Sequence, residues 1–225
     1  MIMKTKTLTT ATQALVSLLP LIFLALIWNQ LPESVPMHYN MHNQADRMGS
    51  KLEMVFAISF LALVGFGVGL LLRNIHKIDP KQKYQDNAPL MLKIAWTTVV
   101  FIAVLGMFIV YQTLVFTKNQ ESLFSGKGVL ALVCLIFVVL GNFMNNIKPN
   151  YFVGFRTPWN LENEENWRKT HRLSSKLLFF GGIALMALIL LLPEPVSAYV
   201  FLVGIVPIVL IPFVYSYLLF KREKQ

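Results

Sequence analysis

Charged side chains are scarce in this sequence: Asp, Glu, Lys and Arg make up 14% of its 225 residues, whereas 56% are hydrophobic. Soluble globular domains carry about 25% charged residues. The composition therefore excludes a soluble domain, and the long uninterrupted apolar runs predict helices that cross a membrane.

Cysteine occurs once, at Cys134, and this residue lies inside an apolar run. A single cysteine cannot form a disulfide within the chain, so cysteine usage does not indicate a redox compartment. The sequence also holds no complete metal motif, and no cofactor is expected.

Ionisable side chains are missing from the middle of every apolar run. Ion-coupled transporters and proton relays normally place such residues there, facing a cavity. Their absence disfavours a proton-coupled pump, but it leaves open a pore lined by hydroxyl or backbone groups. Transport of a small solute or a lipid is therefore an alternative function.

Six apolar runs are long enough to cross a bilayer, so the sequence predicts an all-α, polytopic membrane protein that forms a single domain over residues 1–225. The runs cover residues 14–28, 55–72, 94–116, 129–144, 177–192 and 196–220. In the second run, Gly65 and Gly69 form a pair of small residues four apart, which favours close packing against a neighbouring helix.

Lysine and arginine counts orient the predicted helices. If the N-terminus is cytoplasmic, sixteen of the 20 Lys and Arg residues fall on the cytoplasmic side and four fall outside. This asymmetry predicts cytoplasmic termini, an extracytoplasmic polar loop at 31–51, and cytoplasmic loops at 73–93 and 148–176. The net charge of +9 then reflects topology and not direct binding to nucleic acid.

The outer loop, residues 31–51, is rich in residues that favour turns. At its end, Ser50 is positioned to cap the second helix, with Glu53 completing a capping box. The interpretation that needs no ligand is an ordered loop whose polar side chains bond to backbone groups.

Three potential metal ligands recur at intervals of four in this loop: His38, His42 and Asp46. They would share one face only if the loop were helical, and its many turn residues disfavour a helix. The zinc-protease pattern with an adjacent glutamate is absent. We therefore expect no metal site, with these three residues as the candidates should one form.

The segment 148–176 contains the sequence Gly-Phe-Arg-Thr-Pro-Trp at 154–159, which predicts a rigid turn between an arginine and an indole. Asn160 is expected to cap a short amphipathic helix at 161–172, with acidic residues in its first turns and basic residues in its last. This helix should lie along the cytoplasmic membrane surface with Trp159 and Trp167 at headgroup level, Trp167 being buried toward the bundle and the acidic start of the helix exposed.

Arg156 can serve several roles in this segment. Its guanidinium suits a lipid phosphate, a partner's carboxylate or the carbonyl groups at a helix end. We expect it to contact the polar cluster at 142–146, where the fourth helix ends. The sequence supports internal bracing and partner binding equally.

The two polar segments together resemble the SdpI family of bacterial membrane immunity proteins, over roughly residue 31 to the end of the chain. Asn43 departs from the family pattern, which usually has glycine there, but Asn tolerates the left-handed backbone. The outer pattern comprises Pro36, His38, Tyr39, Asn40, Asp46, Gly49, Ser50 and Lys51, and the inner one Gly154, Arg156, Thr157, Pro158, Trp159, Trp167 and His171.

This resemblance implies a multi-pass protein of the bacterial cytoplasmic membrane, surrounded by lipid and without enzymatic activity. It also implies protection of the cell against a secreted peptide toxin, met on the outer face. A further role of the family's namesake is to hold a small DNA-binding repressor at the cytoplasmic face, where the basic loop 73–93 and the 154–172 region offer a docking surface.

A membrane enzyme is the remaining alternative. Its chemistry would use either the outer His38, His42 and Asp46 or the inner Arg156 and His171. Neither set forms a nucleophile–base arrangement, so the sequence favours a protein without catalytic activity.

Overall fold

A computed structural model describes residues 2–75, 88–118 and 125–223. Its elements in chain order are α1 (Ile2–Leu26), a 3-10 turn (Trp28–Gln30), β1 (Ser34–Tyr39), β2 (Ala45–Ser50), α2 (Lys51–Asn74), α3 (Ala88–Thr117), α4 (Ser125–Met144), α5 (Pro158–Glu162), α6 (Glu164–Lys176), a π-helical turn (Leu177–Gly181), α7 (Gly182–Leu191) and α8 (Val196–Glu223). Most of the predicted loop 73–93 lies outside the described residues.

Six helices in the described part of the chain are long and apolar enough to cross a membrane, and helical backbone from α6 through α7 supplies one of them. This result confirms the all-α, multi-pass membrane fold. The candidate spans are Thr9–Leu26, Lys51–Asn74, Ala88–Phe116, Gly126–Met144, Glu164–Leu191 and Val196–Glu223.

Two compact units account for most close contacts: Met1–Leu72 with Ala95–Val129, and Arg73–Ile94 with Leu130–Gln225. In the first unit, an apolar cluster joins the end of α1 to the start of α2 and to α3. Val35 of β1 belongs to this cluster and is fully buried, so the strand is fastened to the helix ends. The cluster contains Leu24, Ile27, Leu31, Val35, Met54, Ile58 and Val110.

The predicted close approach of α2 to a neighbouring helix is confirmed within the first unit. A methyl group added at Gly69 would lie 2.7 Å from Cγ2 of Val99 on α3, and one at Gly65 would lie 3.2 Å from Cγ2 of Ile102. The absent side chains therefore let the two helix backbones approach, as small residues do in membrane helices.

The outer segment differs from the predicted loop, because β1 and β2 form an antiparallel hairpin. Alternate side chains of β1 face the apolar cluster, as they do in a strand that buries one face. Asn43 lies in the connecting turn with a φ of 58°. This φ lies in the left-handed region that asparagine tolerates, so the turn forms without the glycine of the family pattern.

In the second unit, the amphipathic helix also differs from its predicted bounds. Asn163, and not Asn160, caps α6, because its side chain accepts a hydrogen bond from the backbone N–H of Asn166. Helical backbone continues past Arg172 through the π-helical turn to Leu191. The polar helix is thus the first part of a longer one that becomes apolar after Lys176.

Candidate functional site

The hairpin turn is built by asparagine side chains. Oδ1 of Asn40 accepts hydrogen bonds from the backbone N–H groups of His42 (2.9 Å) and Gln44 (3.0 Å). Oδ1 of Asn43 accepts from the N–H of Gly126, 2.9 Å away in the first turn of α4. A helix N-terminus leaves such N–H groups without partners inside the helix, so the hairpin caps α4 from outside.

His38 and Asp46 face each other across the two strands. Nδ1 of His38 lies 2.6 Å from Oδ1 of Asp46, and the side chains are 65% and 43% exposed. The helical face that would have joined them to His42 does not form, because the segment is a hairpin. Among the described residues no group of three His, Cys, Asp or Glu side chains comes together to hold a metal.

The end of the hairpin is tied to the start of α2. Ser50 accepts a hydrogen bond from the N–H of Glu53 at 3.2 Å, which confirms the predicted cap. Lys51 is largely buried, lies 3.1 Å from the carboxylate of Glu33, and places its ammonium 5.1 Å from the ring centre of Trp28. An ammonium over an indole face is stabilising, so this lysine fixes the hairpin on the helix ends.

Three further residues of the outer pattern also serve the hairpin's packing. Pro36 is buried in β1, where it pairs with Met48, and a methyl group at Gly49 would lie 2.6 Å from Cγ of Met37. Tyr39 meets Phe116 edge-on, with ring centres 6.2 Å apart, and burial raises the pKa of its phenol. The His38–Asp46 pair, by contrast, is exposed to solvent.

The second polar segment begins with a loop organised by Asn150, whose side chain is 1% exposed. Its Oδ1 accepts from the N–H groups of Phe152 (2.8 Å) and Val153 (2.7 Å). Its Nδ2 donates to the carbonyls of Lys148 (2.9 Å) and Val153 (3.1 Å). The amide therefore substitutes for secondary structure in a stretch that has none.

Gly154 and His171 meet at the centre of this segment. Gly154 has a φ of 111°, and an added methyl group would collide with Nε2 of the imidazole. That Nε2 accepts the backbone N–H of Phe155 at 3.2 Å, while Nδ1 lies 2.9 Å from the carbonyl of Trp167. Since Nε2 is an acceptor, the ring is neutral and Nδ1 is the protonated nitrogen, which donates to Trp167.

Trp167 holds this arrangement against the end of α4. The indole is 2% exposed and stacks on His171 with ring centres 4.0 Å apart. Its Nε1 donates to the carbonyl of Ile147 at 2.6 Å. The expectation that Trp167 is buried toward the helices is therefore confirmed, and its indole N–H has a partner inside the protein.

Ser216 of α8 joins the Arg-Thr-Pro-Trp sequence to α6. Its Oγ accepts the indole N–H of Trp159 at 2.9 Å, donates to Oδ1 of Asn166 at 2.9 Å, and lies 3.2 Å from the hydroxyl of Thr157. Asn166 returns a bond from Nδ2 to the Ser216 carbonyl at 3.0 Å and accepts from Thr170 at 3.1 Å. We call these five residues the Ser216 network.

The indole of Trp159 is also sandwiched by aromatic side chains of α8. It stacks on Phe220 with ring centres 5.5 Å apart and meets Tyr217 edge-on at 5.6 Å. Pro158 begins α5 with Thr157 before it, which is the position where a proline fits a helix start. The turn is therefore fixed both by its backbone and by docking on α8.

The predicted contact of Arg156 with the cluster at 142–146 is wrong. The guanidinium is exposed, and Nη1 donates to the carbonyl of Tyr151 at 2.6 Å within the same loop. The turn formed by Asn150 brings this carbonyl within reach. Arg156 thus braces the loop internally and still presents part of its guanidinium to the surroundings.

Sequence reasoning missed most of the polar residues that carry the hydrogen bonds. Asn166, Thr170 and Ser174 recur every four residues, and all three are fully buried. That spacing places them on one helix face, which was a usable signal of a polar contact. Ser216 was harder to find, because a lone serine in an apolar run usually reports only close packing.

Comparison with known proteins confirms the resemblance to the SdpI family. Residues 146–216 match the model of the SdpI/YfhL protein family, and residues 15–63 match a domain of unknown function, DUF1648. The first match begins just before Ile147, the acceptor of the Trp167 indole, and ends at Ser216. It therefore covers the loop, α6 and the Ser216 network.

A relative of known name extends the similarity beyond these segments. The chain is 26% identical to the Immunity protein SdpI of Bacillus subtilis (strain 168) over 185 residues, which cover 82% of this chain and 81% of that protein. No solved structure matches the chain.

Proposed function

We propose that this chain is a non-enzymatic immunity protein of the bacterial cytoplasmic membrane that protects the cell against a secreted peptide toxin. The observation that carries the proposal is the similarity to the Bacillus subtilis immunity protein over 82% of the chain. The hydrogen bonding supports a role without catalysis. Both nitrogens of His171 and the Ser216 hydroxyl already bond to protein groups, so they are not free to act on a substrate.

The test is complementation in a Bacillus subtilis strain that lacks its own Immunity protein SdpI. Expression of this chain should restore survival when that strain meets the secreted peptide from toxin-producing cells. An empty vector is the negative control, and the native gene is the positive one. A chain that reaches the membrane at the native level but gives no protection would refute the proposed function for that toxin.

We further propose that both termini and the loops at 73–93 and 148–176 are cytoplasmic, and that the hairpin faces outward. The support is the distribution of Lys and Arg, sixteen against four, under the positive-inside rule. On this orientation the exposed His38–Asp46 pair meets secreted peptides, and the Arg-Thr-Pro-Trp sequence meets cytoplasmic partners.

Topology reporters test this orientation directly. A reporter that is active only in the cytoplasm is expected to be active when it is fused at either terminus or inserted after Lys83. A cysteine replacing Asn43 should react with a membrane-impermeant thiol reagent added to whole cells, in a Cys134→Ser background. If a cysteine that replaces Arg156 were labelled under the same conditions, the proposed orientation would be wrong.

The outer face makes a second prediction, for His38→Ala and Asp46→Ala. Both are expected to lower protection against the toxin while membrane abundance stays unchanged, because an exposed side-chain pair of this kind contributes only about 0–1 kcal/mol to stability. The measurement is survival against toxin dose, with protein levels matched by immunoblot. The control replaces Arg47 and Glu53, an ion pair of the same region that lies outside the family pattern. Full protection by both His38→Ala and Asp46→Ala would mean that the hairpin only connects α1 to α2 and has no part in protection.

We also propose that the cytoplasmic face can hold a small DNA-binding repressor. The support is the family resemblance together with the rigid Arg-Thr-Pro-Trp turn, which carries an exposed guanidinium at Arg156. The measurement is the membrane-bound fraction of a fluorescently tagged repressor in cells with and without this chain. An unchanged fraction in cells that are protected against toxin would separate immunity from signalling.

A further inference from the structure

A basic cleft of about 470 Å³ lies in the second unit, beside the end of α4. Its lining comprises Asn145, Arg168, Lys169 and Arg172. The three cations come from consecutive turns of α6, whose other face buries Asn166, Trp167, Thr170, His171 and Ser174. The buried face fixes the helix, so the fold places these cations on its exposed face, beside the cleft.

The charges in this cleft are only partly balanced by the protein, although Glu165 interacts electrostatically with both Lys169 and Arg168. Lys169 pairs with Glu165 at 2.7 Å, but in the described ranges neither Arg168 nor Arg172 forms an ion pair with an acidic side chain. These two arginines are four residues apart on one helix face, where like charges destabilise a helix. An anion between them would remove this repulsion, and a guanidinium binds phosphate oxygens through two parallel hydrogen bonds.

The depth of the cleft indicates where that anion comes from. Arg172 precedes Leu177, the first residue of the apolar stretch, by five residues, which is about 7 Å along a helix. Asn145 directly follows Met144, the last residue of the α4 span. The polar layer on each side of the bilayer core is about 5–8 Å thick, which places Arg172 and Asn145 at headgroup depth between two spans, with Arg168 one turn further out at the edge of that layer.

We propose that this cleft binds the phosphate of an anionic phospholipid headgroup. Arg168 and Arg172 contact the phosphate, and the exposed Asn145 amide lies where it can donate to a headgroup oxygen. Basic pockets between membrane helices are a recurring kind of site for anionic headgroups. The inference does not depend on the immunity function, because the ligand is a membrane lipid and neither a toxin nor a repressor.

The test uses the full-length protein purified in a neutral detergent. Mass spectrometry of the intact complex measures binding of phosphatidylglycerol and of phosphatidylcholine with the same acyl chains. The wild-type protein is expected to prefer phosphatidylglycerol. Arg168→Gln with Arg172→Gln should weaken binding of that lipid by about tenfold or more, since each cation near a membrane surface contributes substantially to attraction.

The matched control is Lys221→Gln with Arg222→Gln, which removes the same charge from the end of α8. It should keep the preference for phosphatidylglycerol. Equal losses in the two double variants would mean that only net charge matters, and would overturn the site. Arg168→Lys with Arg172→Lys keeps the charge but loses the planar guanidinium, so this variant should bind phosphatidylglycerol at an intermediate level. It also serves as the test if the glutamine variant does not fold.

Two further arms separate other sources of the anion. Glycerol 3-phosphate that competes at the concentrations effective for the lipid would identify a soluble phosphate ligand and overturn the lipid assignment. A glutamine variant that binds phosphatidylglycerol normally but no longer recruits a tagged repressor in cells would identify a protein docking surface instead.

Discussion

Gly154→Ala is expected to destabilise the protein by about 2–4 kcal/mol, from backbone strain and overpacking together. The φ of 111° at this position lies in a region that residues with a Cβ rarely adopt. The new methyl group would also collide with Nε2 of His171, the atom that accepts the N–H of Phe155. One added carbon would thus disturb both the loop and the imidazole.

Thermal unfolding of the purified protein, followed by tryptophan fluorescence, measures this effect. The control is Gly67→Ala on α2, where an added methyl group meets no atom within 4 Å. That substitution should be neutral or slightly stabilising, because alanine favours helix over glycine. A similar loss of stability in both variants would show that glycine removal is harmful in general and that Gly154 has no special role.

A double-mutant cycle separates the two causes of the Gly154 effect. In a His171→Ala background, Gly154→Ala should cost less than it does in the native protein, because the collision is gone and only backbone strain remains. Additive costs would mean that the imidazole is not the obstacle. His171→Ala by itself should also destabilise, since it removes the acceptor of Phe155 N–H and the ring stacked on Trp167.

Ser216→Ala is expected to destabilise by about 2 kcal/mol and to loosen the Arg-Thr-Pro-Trp turn from α8. The indole N–H of Trp159 would lose its acceptor, and Oδ1 of Asn166 would lose one of its donors. Leaving such groups unpaired costs more than the net value of one hydrogen bond, which explains the size of the effect for a single oxygen atom.

The same helix supplies a control for this substitution. Ser197 of α8 is 1% exposed, and its hydroxyl has no hydrogen-bond partner in the described structure. Ser197→Ala should therefore be neutral or stabilising, because it removes a buried polar atom that gains nothing from burial. Equal melting temperatures for Ser216→Ala and Ser197→Ala would contradict the Ser216 network.

The functional consequence of Ser216→Ala follows from the proposed orientation. A turn released from α8 would present Arg156 in a range of positions, so recruitment of a cytoplasmic repressor should fall more than resistance to an external toxin. The paired measurement is repressor recruitment and toxin survival at matched protein levels. A selective loss of toxin resistance would instead place the turn on the outer side or couple it to the hairpin.

Sequence alone determined the membrane class, the number of spans and the capping at Ser50. Each depends on local properties: the length of an apolar run, the scarcity of charge, and the spacing of a cap from its N–H partner. The similarity of the two polar patterns to the SdpI family also depends on residues close together in the chain. Such features survive in the sequence because no distant partner is needed to define them.

Tertiary structure alone decided how the polar residues are used. Asn150 could be recognised as a loop organiser only once the loop was folded around it, and Ser216 only once α8 lay beside Trp159, 57 residues earlier in the chain. The partner of Arg156 was predicted wrongly for the same reason: a guanidinium can reach many acceptors, and the backbone path chooses among them. The hairpin likewise formed where turns were expected, because burial of Val35 against distant helices favours a strand over a solvated loop.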